Sequence, residues 1–125
     1  MKDRLTLLLQ ANVISQDAYQ ATSLAVELIS RHLNVDESNE QYQMAMTHLA
    51  RAYDRIKSGD PIAEGLDPDI FDEIISDEGF EQINALNQEI LDSLNISNVP
   101  ETENSFLLSN LFSLHCASQT KEAAC

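Results

Sequence analysis

The stretch SNEQYQMAMTHLARAYDRIKSG, residues 38–59, says more about the fold than any other part of the chain. Its apolar residues Tyr42, Met46, Leu49, Tyr53 and Ile56 recur at intervals of three and four, which places them on one face of a helix of about 3.6 residues per turn. Ser38 followed by Gln41 has capping-box spacing, so that two backbone N–H groups at the start find side-chain acceptors. Gly59 closes the stretch, since glycine takes the left-handed conformation in which helices commonly end. An amphipathic helix of this kind needs other elements to cover its apolar stripe.

The same periodicity continues outward on both sides. Ser15 caps a helix expected to run to about Leu33, with Ala21, Leu24, Ala25, Leu28 and Ile29 as its stripe, and Asn34 to Glu37 turn the chain. Asp67 before Pro68 opens a short helix holding Ile70, Phe71, Ile74 and Ile75, because proline suits the first helical position. Asp77 begins another, with Phe80, Ile83, Leu86, Ile90 and Leu94 inward. After Pro100 a last helix carries Phe106, Leu107, Leu108, Leu111, Phe112 and Leu114, apolar over more of its circumference than one face requires, which suits a central helix or a dimer contact. With three glycines, three prolines and no period-two pattern, the expected fold class is all-α: a compact bundle of about five helices forming a single domain over residues 1–116, with a polar, frayed tail over 117–125.

The 125 residues carry seven basic and twenty-one acidic side chains, a formal charge of -14. Such a charge repels a phosphate backbone and an anionic membrane surface, so neither direct nucleic-acid binding nor membrane association is expected. The N-terminal MKDRLTLLLQ holds an apolar run too short for a signal peptide, and no stretch is long enough to span a bilayer, which points to the cytoplasm. In that compartment Cys116 and Cys125 are expected as free thiols.

Most catalytic and metal chemistry finds no residues to carry it. None of His32, His48 and His115 has a carboxylate three residues before it, as a di-metal bundle requires, and Gly-rich phosphate loops, Cys-x-x-Cys pairs and a nucleophile elbow are missing. The acids Asp67, Asp69, Asp72 and Glu73 are explained by favourable charge at a helix N-terminus. No metal or cofactor is therefore expected, and no enzyme. His32 reads as packed or half-exposed near a helix end, and His115 as part of a solvated one. His48 differs, because Arg51 lies one turn on and Arg55 two turns on, setting three nitrogen-rich groups on one side of a helix. A neutral imidazole flanked by arginines suits phosphoryl transfer, since guanidinium groups offer bidentate donors to a phosphate. The plainer alternative makes His48 an amphipathic edge residue, with Arg51 and Arg55 paired to Asp54 or other carboxylates on a solvated face.

The run THLARAYDRIKSGDPI, Thr47 to Ile62, resembles the signature helix of PTS regulation domains, with His48-Leu49, Arg55 seven residues on and Gly59 at the helix end. Glu103-Asn104-Ser105-Phe106-Leu107 resembles the opening of that family's second block. The resemblance implies a helical bundle, usually dimeric, found in antiterminators and transcriptional activators, whose histidines receive phosphate from HPr or a sugar-specific enzyme IIB. It makes His48 the phosphoacceptor and Arg55 and Arg51 the phosphate-stabilising residues. The second block departs from the pattern, reading Asn110-Leu111 where the family has histidine before isoleucine or leucine, so one acceptor of the pair is left. Lacking an output segment, such a module stands alone, forms a homodimer and acts through a separate transcriptional regulator. The competing expectation is a degenerate dimerisation or protein-interaction module that has kept the bundle and lost phosphotransfer.

Overall fold

The computed structural model describes residues 2–33, 39–96 and 99–119. Six helices follow one another among the described residues: α1 (Lys2–Gln10), α2 (Gln16–His32), α3 (Glu40–Ser58), α4 (Pro68–Ile75), α5 (Phe80–Ser93) and α6 (Glu101–Gln119). There is no strand among the described residues.

Helices α2, α3, α6 and α5 form a closed ring of neighbours, each packed on the next, while α1 adds to α2 and α4 to α6. Helix α6 thus faces α3, α5 and α4 at once. That explains its broad apolar surface: Leu107, Leu108, Leu111 and Leu114 are all buried, with Leu114 fully inaccessible. Burial of one such side chain contributes about 1.5–3 kcal/mol, so the centre of the bundle is assembled largely around this helix.

The ends of the helices are set by local chemistry. Ser15 Oγ accepts the Ala18 N–H and caps α2, and Asp67 Oδ1 accepts the Asp69 N–H and caps α4. Helices α1, α3 and α5 finish alike, each turning at one residue with positive φ: Asn12 at 60°, Gly59 at 76° and Asn95 at 61°. Around each, two backbone bonds reach back over the last turn, as in Gly59 N–H to Ile56 O at 3.2 Å and Asp60 N–H to Arg55 O at 2.9 Å. These bonds satisfy carbonyls that the helix leaves open.

Several expectations need correction. Helix α1 was not anticipated, although Leu5, Leu8 and Leu9 have helical spacing; Leu5 is fully buried. Helix α3 is capped by Asn39, whose Oδ1 accepts from the Gln41 and Tyr42 N–H groups, and Ser38 and the turn at 34–37 lie outside the described residues. The inward stripe of α2 runs through Ala18, Ala21, Thr22, Ala25, Val26 and Ile29, which leaves Leu24 exposed about 100° around the helix from Ala25. In α4 only Ile74 is buried, because this helix packs chiefly on α6 and presents Ile70 and Ile75 outward. Helix α5 starts at Phe80, since Asp77 Oδ2 accepts the Gly79 N–H and holds a turn ahead of it. Helix α6 continues through Gln119, and residues 120–125, most of the expected tail, lie outside the described residues. Cys116 is buried and disulfide-bonded rather than a free thiol, and Cys125 lies outside the described residues.

Candidate functional site

Helix α3 carries His48, Arg51 and Arg55 along the side that borders α6. Their register leaves Leu49 and Ala52 buried beneath them, so the inward residues anchor the helix while the polar row lies along its edge. His48 and Arg51 are exposed and Arg55 is half-buried. All three line one cavity of about 270 Å³, together with Ile62, Glu103, Phe106 and Asn110. The cavity lies between the first sequence block and the second, which α3 and α6 bring together.

Arg55 and Glu103 are the strongest electrostatic feature of this cavity. Arg55 Nε donates to Glu103 Oε2 at 2.7 Å and Nη2 donates to Oε1 at 2.9 Å, a bidentate pair that also takes the Ile62 N–H at 3.0 Å. Glu103 is 1% exposed, so its charge is viable only with this full set of donors. Burial pushes its carboxyl group upward, but the Arg55 hydrogen bonds, the Ile62 N–H and the Arg55 charge together hold it below the ordinary carboxylate value. The hydrogen bond to Glu103 raises Arg55 above its ordinary value. One ion pair therefore ties α3, the segment after it and the start of α6 into one unit. Arg55 keeps N–H donors beyond the two used here, whereas Arg51 forms no ion pair among the described residues.

His48 faces α6. Its Nδ1 stands 3.4 Å from Asn110 Nδ2, across 62 positions of sequence. Thus the asparagine at the second block's histidine position meets the histidine of the first. Asp54 is not the partner of either arginine: it accepts from the backbone N–H and the hydroxyl of Ser15, tying α3 to the start of α2.

The other histidines are elsewhere. His32 ends α2, half-exposed as expected, with Nε2 3.2 Å from a Glu89 carboxylate oxygen on α5. His115 lies inside α6 and is half-buried, not at a solvated end; its ring packs so closely on the α4–α5 turn that a Cβ at Gly79 would stand 2.9 Å from Nε2.

The profile of the PRD domain family matches residues 24–113, which take in both blocks and the whole of this cavity. The chain belongs to the PRD domain family. PRD domains are regulatory rather than catalytic modules. The uncharacterized protein YhfY of Escherichia coli (strain K12) is 32% identical over 117 residues, covering 94% of this chain and 96% of that one. No solved structure matches the chain. The similarity to YhfY extends beyond the family match and so takes in the first part of α2, which the structure packs onto the bundle. No helix among the described residues of this PRD chain is long and apolar enough to cross a membrane.

The Arg55 partner was missed in the sequence, though a signal for it existed. Glu103 lies four residues before Leu107 and so shares its helical face. A carboxylate on an otherwise apolar face calls for a cation, and Arg55 was available.

Proposed function

We propose that this PRD domain responds to sugar phosphotransferase status by accepting a phosphoryl group on His48, with HPr or enzyme IIB as donor. The observation that carries the reading is the cavity in which exposed His48 lies along one side of α3 with Arg51 and Arg55. Arg51 makes charge-assisted contacts to the new phosphate, and Arg55 contributes the donors it does not spend on Glu103. Phosphorylation adds about -1.5 to -2 units of charge beside the buried Glu103 carboxylate. That repulsion shifts the packing of α3 against α6 or a contact between two copies, and a separate transcriptional regulator reads the change. The protein works in the cytoplasm as a homodimer, without direct contact to nucleic acid.

The test is phosphoryl transfer from phosphoenolpyruvate through purified enzyme I and HPr, with and without enzyme IIB, on the wild-type chain and on His48→Ala. Acid-labile label present in the first and lost in the second supports the reading. The absence of label with every donor, on a folded protein, refutes it.

Asn110 favours a second reading, a PRD-like dimerisation or interaction module without phosphotransfer, because the second acceptor position holds an amide that cannot take phosphate. Under that reading His48→Ala leaves partner binding unchanged.

A further inference from the structure

Taking His48 as the phosphoacceptor, Asn110 has a part of its own. Its amide is half-buried on α6 and stands 3.4 Å from His48 Nδ1 on α3. A carboxamide has two ends of nearly equal size, one that donates and one that accepts. With Nδ2 toward the ring, an amide N–H donates to the Nδ1 lone pair and the neutral imidazole carries its proton on Nε2. With the amide turned over, Oδ1 accepts from Nδ1–H and the lone pair lies on Nε2. Nδ1 is engaged in both states. The amide nitrogen's own lone pair is delocalised into the carbonyl, so Asn110 holds the ring and does not compete for phosphate.

We propose that Asn110 is a positioning residue which grips His48 through Nδ1 and thereby makes Nε2 the nitrogen that takes the phosphoryl group. Transfer proceeds from the state with the amide turned over and Oδ1 toward the ring, in which the Nε2 lone pair forms the new N–P bond. The P–N bond of a phosphohistidine donor breaks, and its electron pair returns to the donor's imidazole nitrogen. The proton on Nδ1 stays on the ring, shared with Asn110 Oδ1. Asparagine at this position thus supplies a ring-holding partner and no second acceptor.

The contact is tested first without any phosphate donor, by nitrogen-15 NMR of the histidine rings in the full chain, comparing wild type, Asn110→Leu and Asn110→Asp. In the wild type the Nδ1 signal of His48 is displaced by its hydrogen bond. The leucine variant, close in size, loses that displacement while its circular dichroism melt shows a folded bundle. In the aspartate variant, which only accepts, the proton resides on Nδ1. The label is then located: on Nε2 alone in the wild type, and spread over both ring nitrogens in the leucine variant, with an initial rate reduced by up to about a hundredfold. Identical His48 ring shifts in wild type and the leucine variant overturn the proposal, as does label on Nδ1 in the wild type. If the ring shifts differ as expected but no donor labels the wild type, the phosphotransfer reading fails and the Nε2 assignment falls with it. Unchanged shifts with normal labelling refute the role of Asn110 alone.

Discussion

Replacing Arg55 by alanine removes both guanidinium bonds from Glu103, leaving a carboxylate that is 1% exposed with the Ile62 N–H as its remaining donor. Breaking a buried ion pair on one side costs about 3–5 kcal/mol, because an uncompensated charge stays behind. The Arg55 side chain is 35% exposed, so solvent reaches the pair from that side and the lower end, about 3 kcal/mol, is expected. Against a total stability of about 5–15 kcal/mol that loss is large. The pH dependence separates this cause from simple loss of packing. In the wild type the Glu103 carboxyl lies below its ordinary value, so its stabilising contribution is present above the unfolded value of about 4.3 and disappears as pH falls through the folded one. In Arg55→Ala burial dominates and the carboxyl is raised; that variant is least handicapped near pH 4 and loses stability as pH rises. The gap between the two proteins therefore widens from about pH 4 to about pH 7. Urea titrations followed by circular dichroism measure it, and adding Glu103→Gln to Arg55→Ala recovers part of the loss at pH 7. A gap below about 1 kcal/mol that does not change with pH would refute the reasoning, since that is the behaviour of a surface pair.

Gly59→Ala tests the left-handed helix end: nothing lies within 4 Å of the added Cβ, so the cost is purely conformational, about 1–2 kcal/mol, read as a lower urea midpoint with an unchanged slope. Leu5→Ala, in a helix that precedes the family match, destabilises by about 2–5 kcal/mol if α1 belongs to the cooperative unit, and leaves the main unfolding transition in place if it does not. Asp54→Ala removes the acceptor of two Ser15 bonds and costs about 1–2 kcal/mol, with amide exchange speeding up first at the start of α2. Light scattering of the wild type checks the proposed homodimer; a monomer at every accessible concentration rules it out.

The sequence by itself determined the helices and much of how they end. Spacing of three and four, the Ser15 and Asp67 caps, Pro68 inside a helix start and Gly59 after a helix end are local features, and each acts within a turn or two of its own position. The row His48, Arg51, Arg55 was legible for the same reason, being a property of one helix. Where reading failed locally, a signal was present but weak, as in the Leu5, Leu8 and Leu9 spacing of α1. What only the tertiary structure decided is who meets whom across the bundle. Arg55 could have joined Asp54 one residue away; instead Asp54 turns to Ser15 and Arg55 crosses 48 positions to Glu103. His48 likewise finds Asn110 62 positions away. Helix periodicity fixes which side of α3 is apolar, but the packing of α6 against that side decides which polar groups at its edge are buried, and a buried charge then takes the nearest partner able to satisfy it.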